Sequence, residues 1–180
     1  MLSLVEWCAT NKTKLSPTEL GGRLDRILGA TERLIAAVPG GQMDFQPPQR
    51  DRSLRDLAFH IFRLALAFAD GMDLGRFPQE RLAEPAPRDL HDGRAVGRYG
   101  ALVRGRLAGW LEGAAPQEYA RMIEVYDGPQ SGHDLLERTT GHAAQHLRQL
   151  HVLLEDLGLS PGEPLPTADF EGLPLPETCW

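Results

Sequence analysis

The sequence predicts an all-α fold, a four-helix bundle, and three observations carry that expectation. Four separate segments place apolar residues at helical spacing, and most of them carry recognisable start or stop residues. Pro- and Gly-containing stretches divide the segments. The chain has 180 residues, 42% of them hydrophobic, which is enough for one bundle core and does not demand a second domain.

The first helix opens at Ser16-Pro17-Thr18-Glu19. Ser16 is the N-cap, Pro17 suits the first helical position and Glu19 completes a capping box. Leu20, Leu24, Ile27, Leu28, Leu34 and Ile35 form its apolar face, and Pro39-Gly40-Gly41 ends it. The second helix starts at Ser53, with Asp56 in the capping-box position, and carries a stripe through Leu54, Leu57, Ile61, Leu64 and Phe68 to a stop at Gly71. A Pro-containing connection follows, long enough for a crossover. The third helix runs from about Asp92 to Gly113. Its Gly97, Gly100, Gly105 and Gly109 each lower helicity by about 1 kcal/mol, which makes them candidates for close helix contact. Trp110 and Tyr99 read as core. Met122 to Tyr126, followed by Asp127-Gly128-Pro129, reads as a short extended segment and a turn. The fourth helix runs from Ser131 or Gly132 to Leu157, with Gly158 as its stop. The division expected is an N-terminal extension over 1–15, the bundle over 16–158 and an irregular Pro-rich tail over 159–180. Phe170, Leu173, Leu175 and Trp180 suggest that the tail lies on the bundle.

A formal net charge of −6 argues against nucleic acid as a partner. Leu57 to Ala69 is apolar but short, and His60 and Arg63 interrupt it, so no membrane span is expected. No apolar run preceded by basic residues opens the chain, and Cys8 and Cys179 are too few for a disulfide framework. The location expected is the cytoplasm.

His142 and His146 are spaced i, i+4, one turn apart on the same helix face. At about 100° per residue they fall inside the stripe formed by Leu135, Thr139, Leu150, Leu153 and Leu157. Two imidazoles in a core need partners, and one metal ion satisfies both. His60 lies about 60° from the centre of the second helix's stripe, again at the core edge. Three imidazoles from two helices are a plausible divalent-metal set with one open position. Asp56, one turn before His60, is the expected acceptor for that ring's second N–H. Gln149, about 20° from His142, is the candidate to orient a nucleophile or substrate. Asp134, Glu124 and Asp127 are weak candidates for a general base. His151 reads as solvated, and His91 and His133 as capping or exposed. Cys8 and Cys179 do not sit in a metal-type spacing. There is no His-Glu-x-x-His, no Glu-x-x-His, no Gly-x-Ser-x-Gly and no phosphate-binding glycine loop.

Leu54-Arg55-Asp56-Leu57-Ala58-Phe59-His60, His142-Ala143-Ala144-Gln145-His146-Leu147-Arg148-Gln149-Leu150 and the closing Gly172-Leu173-Pro174-Leu175-Pro176 resemble the DinB-like superfamily of bacterial metal-binding bundles. The resemblance implies an up-down-down-up bundle, often a homodimer, with zinc or nickel on His60, His142 and His146. It also implies a small-molecule substrate. Members include enzymes that use mycothiol or bacillithiol, for thiol transfer or maleylpyruvate isomerisation, and others that look like metal-dependent hydrolases. Two classes therefore stay open from sequence: a metalloenzyme that activates a thiol or water, and a non-catalytic metal- or ligand-binding bundle.

Overall fold

The computed structural model describes residues 14–48 and 52–176. Cys8, Cys179 and Trp180 lie outside them. Among the described residues there are four long helices, α1 (Pro17–Ala36), α2 (Leu54–Leu74), α3 (Gly93–Gly113) and α5 (Gly132–Asp156). A single short helix, α4 (Pro116–Ala120), precedes a two-stranded antiparallel hairpin of β1 (Met122–Ile123) and β2 (Gln130–Ser131).

The starts follow the side-chain chemistry of their caps. Ser16 accepts from the Glu19 amide while Glu19 reaches back to the Ser16 amide at 2.8 Å. Ser53, Asp92 and Ser131 accept in the same way from the amides of Asp56, Ala95 and Asp134. The end of α2 differs from the sequence expectation. The helix passes through Gly71 and stops at Gly75, whose φ of 75° ends it in the left-handed conformation. Gly71 serves a different need: the returning chain crosses it, so an added Cβ would lie 3.3 Å from Phe77 Cα. α4 is additional to the four helices expected from the sequence, although Pro116 at its first turn is a start signal.

The helices form a ring in the order α1, α3, α2, α5, with α1 and α2 across the diagonal. Their directions follow from contacts along each pair. Gly21 meets Leu111 and Gly29 meets Arg104, so α1 and α3 are antiparallel. Phe59 meets Tyr99 and Phe68 meets Trp110, so α2 and α3 are parallel. Met72 meets Gly132 and His60 meets His146, so α2 and α5 are antiparallel. The result is an up-down-down-up bundle, and the parallel α2–α3 pair requires the crossover over 75–92.

The core is filled by buried Leu20, Leu24, Ile27, Phe62, Phe68, Leu107, Leu147 and Leu150, among others. Gly100 lets α3 approach α2 closely, because a Cβ there would overlap the Phe62 ring. Gly105 and Gly109 meet nothing within 4 Å, so close contact inside the chain explains only part of the glycine content of α3. Past α5, Leu173 is buried, Pro174 packs on Gly141, and buried Asp169 accepts from Arg26 Nε at 2.7 Å. No helix among the described residues is long and apolar enough to cross a membrane.

Candidate metal centre

The antiparallel packing of α2 on α5 brings His60 opposite His142 and His146. One ring nitrogen from each lies within 4.8 Å of the others. Backbone periodicity does the positioning: i, i+4 spacing puts two rings on one face of α5, and α2 delivers the third.

The second nitrogens decide which way each ring presents itself. His60 Nδ1 donates to the Leu82 carbonyl at 3.1 Å. That leaves Nε2 of the neutral ring with its lone pair toward the cluster, and this atom is buried with no hydrogen-bond partner. Leu82 belongs to a 3-10 turn over Gln79–Ala83, in the crossover. The crossover is clipped to α2 on both sides of this contact. Arg63 Nη2 donates to Glu84 Oε2 at 2.7 Å, and Asp56 Oδ1 accepts from the Ala86 amide at 2.8 Å. His146 Nδ1 donates to Gln149 Oε1 at 2.7 Å.

Two sequence assignments are thereby corrected. Asp56 does not hold His60. Its carboxylate is taken by the Ser53 hydroxyl at 2.7 Å and by Ala86, while a backbone carbonyl from a distant turn holds the ring. Gln149 is 3% exposed and faces the back of His146, so it orients that ring and does not face a substrate. The crossover was legible from its length, but Leu82 carried no sequence signal, since a carbonyl acceptor leaves no trace in side-chain identity.

Burial pushes His60 down to about 3, with the positive charge of Arg52 adding to the effect. Burial likewise pushes His142 down to about 4, with His146, Arg138 and Arg52 contributing. Both rings are neutral at pH 7, the state a metal needs. His60 and His146 are 5% and 9% exposed, and His142 is the more open ring. His142 lines a groove of about 740 Å³ together with Asp134, Arg138, Gln145, Met122 and Pro174. Access to the cluster is therefore from the His142 side.

The other candidates lie elsewhere. His133 Nε2 meets the Leu15 carbonyl at 2.7 Å, which ties the start of α1 to α5. His91 is exposed beside the α3 cap. His151 is half-buried, not solvated, because it borders a pocket between the ends of α1 and α5. Asp134 is committed to Ser131 and Lys14, Asp127 faces Arg138, and Glu124 bridges Arg76 through the backbone.

The donor set fits a divalent ion. It consists of three neutral imidazoles, an inward Nε2 on His60 that nothing else satisfies, and second nitrogens already engaged on His60 and His146. These histidines are able to hold a metal ion. Replacing Gln149 by Leu removes the acceptor behind His146 at similar volume. Metal affinity should fall by about 10–100-fold with the helical content kept, read by competition with a chromophoric chelator. Unchanged affinity would mean that Gln149 serves only packing.

Comparison with known proteins identifies the family and the fold. The family model described as the DinB superfamily matches residues 23–150. The crystal structure of a DinB-like protein of Bacillus subtilis, YjoA, superposes with a TM-score of 0.65 at 16% identity, covering 82% of this chain and 96% of that one. No protein with a curated description matches. The chain belongs to the DinB superfamily, and at that identity the solved structure speaks for the fold alone.

Proposed function

We propose that this chain is a metal-dependent enzyme in which His60, His142 and His146 hold one divalent ion, zinc or nickel, and a thiol or water is activated for S-transfer or hydrolysis of a small molecule. The observation that carries this reading is His60 Nε2, buried with no hydrogen bond and aimed at two further imidazoles. A buried nitrogen left unsatisfied costs about 1–3 kcal/mol, and a ligand for an ion satisfies it. An ion bound there supplies a Lewis acid that makes a thiol or water more acidic.

The chain's own residues do the rest. Leu82 and Gln149 fix the orientation of two ligands, and the crossover walls off His60 from solvent. The groove beside His142 admits the substrate. Among the described residues no fourth His, Cys, Asp or Glu joins the cluster. That favours an open position, and hence an enzyme, over a non-catalytic metal- or ligand-binding bundle. Resemblance tilts the reading toward a low-molecular-weight thiol.

Cobalt-loaded protein tests the thiol. Adding bacillithiol, mycothiol or glutathione at millimolar concentration should produce an intense sulfur-to-cobalt band in the near ultraviolet. A spectrum unchanged by all three would remove S-transfer and leave hydrolysis or ligand binding.

The lowered histidine values also predict a pH dependence for metal-free protein. Between the ordinary 6.5 and the folded values of about 3 for His60 and about 4 for His142, the unfolded chain binds more protons than the native one. Stability should therefore be held above pH 6.5 and lost as pH falls through that window. Thermal melts across it check the sign, and His60→Gln should flatten the slope.

A further inference from the structure

We infer that Arg138 is the anion-binding residue of the groove beside the metal centre, and that the ligand reaching the open position carries a carboxylate at its far end. This rests on the open position proposed above and adds the charge and the placing of the ligand's other end. Arg138 lies one turn before His142 on α5 and lines the same groove of about 740 Å³. At about 100° per residue, Arg138, His142 and Gln145 fall within about 60° of one another around the helix. At about 1.5 Å per residue, Arg138 and His142 start about 6 Å apart along it, which one short linear molecule spans.

The short hairpin holds this guanidinium in place. Arg138 Nη2 donates to the Tyr126 hydroxyl at 2.7 Å, and Arg138 Cζ lies 5.1 Å from the centre of the Tyr126 ring. Tyr126 is 67% exposed, so its ring serves Arg138 more than the core. The hairpin is itself fixed to the end of α2. The Phe77 amide donates to the Glu124 carbonyl at 2.7 Å, and the Glu124 amide to the Gly75 carbonyl at 3.0 Å. Asp127 approaches Arg138 Nη1 only at 3.4 and 3.5 Å, long for a charge-assisted hydrogen bond. A guanidinium offers more N–H donors than these contacts use, and its planar fork matches a carboxylate. The other acids bordering the groove do not cancel the charge. Asp134 is committed to Lys14 and Ser131, and Glu137 sits about 100° round the helix from Arg138. Three neutral imidazoles leave a bound ion its full positive charge, and among the described residues no carboxylate joins them. The positive charge of Arg52 reaches both His60 and His142. In a chain of net charge −6 this mouth is locally cationic, and an anion gains there what a neutral ligand does not.

Cobalt-loaded protein and two hydroxamates of equal chain length test this without assuming a thiol or a hydrolytic step. Succinic monohydroxamate ends in a carboxylate and butyrohydroxamate in a methyl group, and both bind a metal through the same oxygens. Titrations read in the visible cobalt bands at low ionic strength should show the acid binding about tenfold tighter. Added salt should shrink that advantage. Arg138→Gln should bring the two affinities together, with cobalt content and far-ultraviolet circular dichroism unchanged. Arg138→Lys should keep part of the preference, because the charge stays while the fork is lost. Three results overturn the anion subsite and leave the metal centre standing: equal affinity of the wild-type chain for the two probes, a preference that Arg138→Gln leaves intact, or a lysine variant as indifferent as the glutamine one. Cobalt bands that neither probe moves overturn the open position, and the subsite with it.

Discussion

His142→Ala combined with His146→Ala is expected to lower bound zinc or nickel from close to one per chain to background, with the fold retained. Both ligands of α5 disappear, and His60 alone offers the ion one imidazole. The helix should survive because alanine is a better helix former than histidine. The apolar stripes of α2 and α5 hold the pair together without the rings. Elemental analysis and circular dichroism on the same samples separate the two effects. Unchanged metal content would remove the three-histidine site. Asp56→Asn is the informative companion. Asp56 faces Ser53 and Ala86 and not His60, so this change should leave metal stoichiometry intact while weakening the start of α2.

The second large effect lies in the packing that sets α2 against α3. Phe62 is fully buried, and its ring fills the space that a side chain at Gly100 would need. Phe62→Ala should cost about 3–5 kcal/mol through lost burial and a cavity. Gly100→Ala should cost about 1–3 kcal/mol through overpacking. The double variant should be more stable than the sum of the two costs implies, because the truncated ring no longer meets the new methyl. Denaturant unfolding of the four proteins gives the coupling. Simple additivity would mean that the chains relax apart at this point and that Gly100 does not set the helix spacing.

These residues also show what could be read before the structure. Ser16 and Ser53 are legible as caps because a hydroxyl three residues ahead of an amide satisfies a local rule, whereas the start of α5 is legible only as Ser131 or Gly132. The i, i+4 histidines were legible because a helix fixes their face. His60 was legible as a core-edge imidazole, although only the antiparallel packing of α2 on α5 places it opposite them. What stayed hidden depends on distant backbone. His60 takes its acceptor from Leu82, which lies 22 residues away on an irregular crossover, so the nearer Asp56 was the natural but mistaken partner. Gln149 was placed on the right helix and given the wrong task, because angular arithmetic cannot tell facing the cluster from standing behind one ring. The end of α2 moved from Gly71 to Gly75 for a similar reason: a helical glycine crossed by another chain segment looks, in sequence, like a stop.

His60, His142 and His146 are expected to bind one ion together and to leave a position open. X-ray absorption at the metal edge of the zinc- or nickel-loaded protein, in buffer without thiols, tests it most directly. Imidazole scattering from three rings is expected, at about 2.0–2.1 Å for zinc, with one additional light-atom ligand and no sulfur. His60→Ala should remove one ring from that count. A first shell with fewer than three imidazoles, or one containing sulfur from Cys8 or Cys179, would contradict it.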